Sequence, residues 1–377
     1  MAGIYIHIPF CRQACTYCNF HFSTQTQHMG AFVSALQKEI VHAPGFIHED
    51  KNIDSIYIGG GTPSLLEHGM LENIFTSLRQ RFPYLSPHAE ITLEANPDDV
   101  SLQNLLAWKK TGINRLSLGI QSFDEKELQW MNRAHHASQA LESLQLIKSA
   151  GFENYSVDLI YGSPLLNDEQ LCSNIKIMTD QEVPHISCYA LTVEPKTALH
   201  TLIKTDPEME VDGDKQARQF DLVRSSLEKH GYRHYEISNF SKPGMESRHN
   251  SSYWQGKPYY GFGPAAHSYN GNNIRRWNVA NNAVYIKSIQ ENIPCFEEEI
   301  LTTAQVVNEH IMTQLRTAEG VSLNHISVKF GEEWKEKILA NAAISIKGGH
   351  LRLSNHFLTL TNSGKFLADG ISVSLFV

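Results

Sequence analysis

The sequence is short of positive charge. Thirty-two Lys and Arg stand against forty Asp and Glu, a net charge of −8, so it carries no basic footprint for nucleic acid. It has no internal repeat and no low-complexity tract, which excludes solenoids and propellers. No run approaches the roughly 18 uninterrupted apolar residues of a membrane span. Met1 to Pro9 lacks the basic and apolar regions of a secretion signal. The expectation is a cytoplasmic protein without a transmembrane segment. Cysteine is scarce too: six in 377 residues cannot frame a disulfide scaffold, and a reducing compartment disfavours such bonds.

What is present is material for a large core. Apolar residues make up 41% of the chain and charged residues 19%, and the length suits two or three domains. Short β-rich runs recur at Ile4–Ile8, Ile53–Ile58, Glu90–Ala95, Arg115–Ile120, Tyr155–Tyr161 and His185–Leu191, with helical patterns between them. Ser101 and Gly112 bracket one such helix, polar cap before and glycine after, and Ser138 and Gly151 bracket another. Strand–helix alternation predicts a parallel sheet with right-handed crossovers. Six βα units are fewer than the eight of a closed barrel. The fold class expected is α/β, an open (β/α)6 partial TIM-type barrel, with a doubly wound sheet as the alternative.

In such folds function gathers at the carboxyl ends of the strands. Strand one runs into Cys11, Cys15 and Cys18, and strand two into Gly59-Gly60-Gly61-Thr62-Pro63. Strand three carries Glu94 before Asn96-Pro97-Asp98, strand four ends at Gln121, strand five holds Asp158, and strand six leads to Ala190 and Glu194. One rim therefore collects the polar and glycine residues. The expected division is a core over residues 1–232, a connecting segment rich in aromatics and glycine over 233–300, and a carboxyl-terminal domain over 301–377. In the last, a helical pattern from Thr302 precedes short alternating runs at Ile344–Ile346, Leu351–Leu353 and Leu358–Leu360, which suggests a small winged-helix-like α+β domain. The connecting segment reads as loop packed over the site.

Cys11, Cys15 and Cys18 form C-x3-C-x2-C in a loop just after a strand. Thiolates are soft ligands that suit zinc and iron–sulfur clusters. Three cysteines would leave one iron of a 4Fe–4S cluster with no protein ligand. Zinc with His21 as fourth ligand is the rival, because Cys18-x2-His21 is permissible spacing. Cys172, Cys188 and Cys295 are scattered and read as structural.

With these residues in place, the sequence resembles the radical S-adenosylmethionine (SAM) proteins, and more narrowly the HemN/HemW group. The matching segments are IYIHIPFCRQACTYCNF, YIGGGTPS, LEANPDD, SLGIQSFDEKELQWMNRAH, VDLIYGSP, ALTVEP and YEISNFSKPGMESRHNSSYWQG, in order across roughly residues 4–256. The tail also looks like that group's carboxyl-terminal domain. The resemblance implies a 4Fe–4S cluster on Cys11, Cys15 and Cys18, its open iron chelated by S-adenosylmethionine. It implies cofactor contacts from Tyr5 and Tyr17, from the glycine-rich Gly60, Gly61 and Thr62, and from Glu94, Gln121, Arg133, Asp158 and Ala190. The implied chemistry is reductive cleavage of the sulfonium to methionine and a 5′-deoxyadenosyl radical. A tight turn at the glycines, a salt-bridged strand end at Glu94 with Arg133 as its partner, and packing at Tyr17 and Ala190 are the structural alternatives.

Two departures select a branch of that group. Its coproporphyrinogen III dehydrogenases resemble C-x3-C-x2-C-x-C, whereas here the last position is Phe20. They also carry a long segment before the cluster, where ten residues precede Cys11 here. His249-Asn250-Ser251-Ser252-Tyr253-Trp254 resembles the HNxxYW motif of the heme chaperones, whose histidine is implicated in heme binding. Imidazole is a common axial ligand of heme iron, which makes His249 the heme candidate and His267, in GFGPAAHSY, the next. The resemblance thus implies a heme chaperone, with heme, a heme-accepting apoprotein and a second copy of the chain as partners, and with membrane association only peripheral, through a client. Oxidative decarboxylation of coproporphyrinogen III is the alternative activity, and a metal-stabilised interaction protein without catalysis the third.

Overall fold

The structure, a computed structural model, describes residues 2–47 and 52–377. Six strands carry the core: β1 (Ala2–Ile8), β2 (Ile53–Gly60), β3 (Leu85–Ala95), β4 (Arg115–Gln121), β5 (Tyr155–Tyr161) and β6 (His185–Ala190). Each pairs in parallel with the next in chain order. The order never reverses, which excludes the doubly wound alternative, whose strands change direction of progression at a switch point. β1 and β6 pair with other strands instead of each other, so the barrel is open.

The crossovers are α1 (Met29–His42), α2 (His68–Arg81), α3 (Leu102–Thr111), α4 (Glu125–Trp130) with α5 (Ala137–Ser149), and α6 (Asp168–Asp180). Ser101 caps α3 by accepting from the Asn104 N–H at 3.1 Å, and Gly112 ends it in the left-handed region at φ +113°. At α5 the cap is His136 rather than Ser138, because the Gln139 side chain reaches back to the His136 N–H at 2.9 Å.

Strand residues alternate between two environments, as a period of two requires. Ile4, Ile6 and Ile8, Ile56 and Ile58, Leu116 and Leu118, and Val157 and Leu159 are fully buried in the apolar core. On the opposite parity stand Ser55 and Tyr57, Thr92 and Glu94, Ser117, Ser156 and Asp158, and Ser187. A closed eight-stranded barrel fills its interior with branched apolar side chains. Here the inner face is polar, and it lines a cavity rather than a packed core.

After β6 come α7 (Ala198–Thr205), α8 (Gly213–Lys229), β7 (Arg233–Glu236), β8 (Asn239–Ser241) and α9 (Arg248–Trp254). They are followed by β9 (Tyr259–Phe262), β10 (His267–Tyr269), β11 (Ile274–Asn278), α10 (Asn282–Glu291) and β12 (Phe296–Ile300). The expectation of loop over 233–300 is corrected here. β8 and β7 continue the sheet beyond β6, and β9 to β12 continue it beyond β1, giving one 12-stranded sheet. Strands of three to five residues are too short to display a period, and so they read as loop.

The last segment folds as α11 (Thr303–Leu315), β13 (Val321–Ser322), α12 (Leu323–Phe330), α13 (Glu332–Lys347), β14 (Leu351–Ser354) and β15 (Phe357–Leu360). Helix, strand, two helices and a hairpin is the order of a winged helix, and its sheet runs β13-β15-β14. It has its own core, with Val307, Ile311, Ile326, Ile338 and Leu358 fully buried. Ile344–Ile346 is not a strand: it lies inside α13, with Ile344 84% exposed. Among the described residues, no helix is long and apolar enough to cross a membrane.

Candidate functional site

The cysteine loop is laced to its neighbours through backbone groups. The Gly61 N–H donates to the Ile8 carbonyl at 2.9 Å and the Thr62 N–H to the Phe10 carbonyl at 2.7 Å. These bonds draw the β2 loop so close that a Cβ on Gly61 would stand 2.6 Å from the Phe10 oxygen and 2.9 Å from Cys11 Sγ. Only glycine fits there. Gly60 is glycine for a second reason, a φ of +115° that side chains with a Cβ rarely adopt. Phe10 itself is fully buried edge-on to Phe32 of α1, ring centroids 5.4 Å apart. Truncating either ring would cost on the order of 3–5 kcal/mol and loosen the start of the loop.

On its other side the loop is tied to the segment after α4. The Thr16 N–H donates to the Met131 carbonyl at 3.0 Å, and the Asn132 amide to the Ala14 carbonyl at 2.7 Å. This tether aims Arg133 at the cysteines: one guanidinium nitrogen lies 3.3 Å from Cys15 Sγ, and another donates to Asn96 Oδ1 at 2.8 Å. Arg133 is therefore a partner of Cys15 and Asn96, and Glu94 finds different donors. Thr62 Oγ1 stands 3.5 Å from Cys11 Sγ.

Inside the rim, Glu94 accepts from the Tyr57 hydroxyl at 2.8 Å and from the Gly60 N–H at 3.1 Å. Burial, with Asp158 nearby, raises its carboxyl to about 7. Burial also raises Asp158 to about 6, against the opposing effects of the Ser187 hydroxyl and Arg115. Gln121 closes β4 in the left-handed region at φ 71°, where the β4–β5 ladder loses its register. Such backbone strain concentrates at functional sites. Burial pushes the Cys11 thiol up to about 11, with Cys18 and Cys15 adding to the effect. Burial raises the Cys18 thiol as well, so these two thiols hold their protons until a cation compensates them.

A cavity of about 570 Å³ brings these groups together. Cys11, Cys15 and Cys18, Tyr17, Gly60, Gly61 and Thr62 all line it, as do Glu94, Gln121, Arg133, Asp158 and Ala190. Tyr5 does not; it stacks on Tyr57 at 6.2 Å and meets His7 Nδ1 through its hydroxyl at 3.0 Å. Sequence reasoning missed Tyr57, which the inward parity of β2 could have revealed, and named Asn96 and Asn250 only as members of motifs, without a role; all three line the same space. Phe20 stands on the rim, 67% exposed.

Among the described residues, no three His, Cys, Asp or Glu side chains stand around a point that one ion would fill. His21, the fourth ligand that zinc needs, turns its Nε2 to Asn282 Oδ1 at 2.7 Å. Three thiols around a polar cavity with a guanidinium beside them fit a multi-iron cluster, which spreads its ligands over several metal atoms.

The two histidines stand apart from this cavity. His249 is 1% exposed, on the face of α9 that packs against β2. Its Nδ1 lies 2.8 Å from Ser55 Oγ and its Nε2 2.9 Å from the Tyr253 hydroxyl, so both ring nitrogens are engaged. Burial lowers its pKa to about 3. The carboxylate of Glu90 accepts the backbone N–H groups of Arg248 and His249 at 3.1 and 2.9 Å, fixing the start of α9. Asn250, one residue on, faces the cavity instead. His267 is exposed on β10, stacked on Trp277 with centroids 6.0 Å apart.

Comparisons with known proteins agree with this architecture. Residues 5–176 match the model of the radical SAM superfamily, and residues 301–367 that of the HemN C-terminal domain. The chain is 33% identical to the heme chaperone HemW of Bacillus subtilis over 98% of both chains. It is 32% identical to the heme chaperone HemW of Mycobacterium tuberculosis over 98% of this chain and 93% of that one. Among solved structures, coproporphyrinogen III oxidase (HemN) from Escherichia coli superposes with a TM-score of 0.85 at 21% identity, covering 100% of this chain and 90% of that one. The last likeness shows the fold.

Proposed function

The chain belongs to the family of the heme chaperone HemW, within the radical SAM superfamily, and from that premise we propose that it binds heme and passes it to an acceptor protein. The observation that carries this reading is the 33% identity to a curated heme chaperone over 98% of both chains. A reducing cytoplasm suits it, since the loop thiols must stay free to take iron.

In this reading Cys11, Cys15 and Cys18 hold a 4Fe–4S cluster, and S-adenosylmethionine lies against Tyr17, Gly60, Gly61 and Thr62. When bound, the pair supplies one-electron reductive chemistry at the sulfonium. The chain's own residues prepare the place. Arg133 offsets thiolate charge at Cys15, and Gly61 lets backbone approach the ligand. The Glu94 carboxylate, with Asp158 behind it, answers the positive charge of the cofactor. Gln121 and Ala190 complete the rim, and Tyr5 supports Tyr57 from below.

His249 serves as heme ligand on one condition. Iron reaches its Nε2 only if the hydrogen bond to Tyr253 opens. A turn of α9 by roughly 100°, one residue's worth, would bring His249 to where Asn250 faces the cavity.

The test sets this against decarboxylation on a single anaerobically reconstituted preparation. Heme-loaded protein is mixed with an apoprotein acceptor, and the cluster-loaded protein is given coproporphyrinogen III with S-adenosylmethionine and a reductant. Transfer of heme without formation of protoporphyrinogen IX is expected. Sustained decarboxylation would overturn the assignment.

A further inference from the structure

A second cavity, of about 410 Å³, lies between β7 and the C-terminal sheet. Its lining is cationic: Arg316, Arg352 and Lys365 face one acidic side chain, Glu236. The Glu236 carboxylate is already occupied, accepting from the Ser238 N–H at 3.1 Å and from the Asn239 amide. The space adjoins the barrel cavity, since Ile237, Arg316 and Lys365 line both.

Among the described residues, two of the three cations, Lys365 and Arg352, have no close acidic partner, and Arg316 is paired at one end only. Lys365 Nζ lies 3.0 Å from Nδ1 of His234, whose Nε2 meets the Ile237 carbonyl at 3.0 Å. Burial lowers the His234 pKa to about 3, and with Nε2–H donating to Ile237 the neutral ring, stacked on Phe240 with centroids 4.1 Å apart, offers Nδ1 as acceptor to the ammonium. Among the described residues, no carboxylate approaches Lys365 or Arg352 within 4.0 Å. Arg316 pairs with the exposed Asp369 at 2.7 Å and lies over the Trp254 ring at 5.6 Å, while its Nε is buried without a partner among the described residues. Burying a cation without a close anion is costly, and burial lowers the Lys365 pKa although Glu228 offsets part of the effect. An arriving carboxylate would remove that cost.

The barrel cavity beside this cationic end also has an apolar wall. Tyr189 and Phe366 remain 42% and 38% exposed there, and Phe366 packs on Phe220 at 5.8 Å. Large aromatics left uncovered beside a cavity mouth suit a flat apolar body. A ligand that is flat and apolar in the middle and carboxylated at one edge matches both halves.

We infer that Lys365, Arg316 and Arg352 form the subsite for the carboxylates of a bound tetrapyrrole, with Tyr189 and Phe366 against its ring. This rests on the heme-carrier reading above and extends it by orienting the ligand: propionates toward the C-terminal domain, ring toward the barrel mouth.

Heme and its dimethyl ester, which lacks both negative charges, are titrated in the same detergent buffer against the reconstituted wild type, Lys365→Gln and Arg352→Gln. The wild type should bind heme roughly ten-fold or more tightly than the ester, as charge-assisted hydrogen bonds imply. Each substitution should weaken heme binding several-fold and leave the ester unchanged, so that the preference shrinks. Arg352 is exposed, so Arg352→Gln keeps the test alive if Lys365→Gln fails to fold. An equal acid-over-ester preference in all three proteins, or none in the wild type, overturns the subsite while leaving heme binding standing. Binding of neither ligand to the wild type overturns the heme reading and the subsite with it.

Discussion

His249 and Tyr253 are joined across one turn of α9, imidazole Nε2 to phenol oxygen at 2.9 Å. The bond occupies the nitrogen that heme iron would need. Tyr253→Phe removes it while keeping the ring that packs edge-on to His249 at 4.8 Å. A neutral hydrogen bond contributes about 1 kcal/mol, so heme affinity should rise roughly five-fold, read by absorbance titration. His249→Ala should abolish the gain and change the heme spectrum. If both variants bind heme as the wild type does, the ligand lies elsewhere, and exposed His267 is next.

Gly61→Ala should impair cluster loading. The new methyl would press on the Phe10 carbonyl and on Cys11 Sγ, shifting one of the three thiols. Iron and sulfide retained after anaerobic reconstitution should fall well below wild type, with the melting temperature lowered by only a few degrees. Full loading would mean that the loop yields without consequence.

Replacing Cys11, Cys15 or Cys18 with Ser should each lower iron and sulfide from about four per chain. Heme binding should persist in part, because the proposed tetrapyrrole contacts, the aromatic wall and the cationic cavity, use none of the three thiols. Stoichiometric zinc in the wild type, with function intact, would contradict the cluster.

Glu94 gives a pH signature. Its pKa rises from the ordinary 4.5 to about 7 on folding. Between those values the folded chain keeps a proton that the unfolded chain has lost, so stability falls as pH rises from about 4.5 to 7. Above 7 the full penalty applies, on the order of 3 kcal/mol. Glu94→Gln should therefore raise the melting temperature of ligand-free protein at pH 8 and leave it unchanged at pH 4.5. At pH 8 the same variant should bind S-adenosylmethionine more weakly. Equal melting shifts at both pH values would contradict this account.

The barrel was legible because its strands are long enough to show their pattern and its helices carry caps such as Ser101 and Gly112. Most of the site was legible because its residues sit where strands end, as Cys11, Gly60, Glu94 and Gln121 do. What escaped depended on tertiary placement. The six short strands of 233–300 gain their regularity from the sheet edges they extend. His249 carries a motif, yet whether an imidazole faces a cavity or a strand is set by how α9 rolls on β2. Lys365 and Arg316 are 49 positions apart; the folding of the C-terminal domain brings them together, and its packing against His234 and Glu236 closes the cavity they line.

The most direct measurement is an anaerobic heme titration of the reconstituted protein, followed by its absorbance. The account predicts saturable binding at equimolar heme, with a shifted Soret band and the cluster spectrum intact. A linear rise without saturation, as free heme gives, would contradict it.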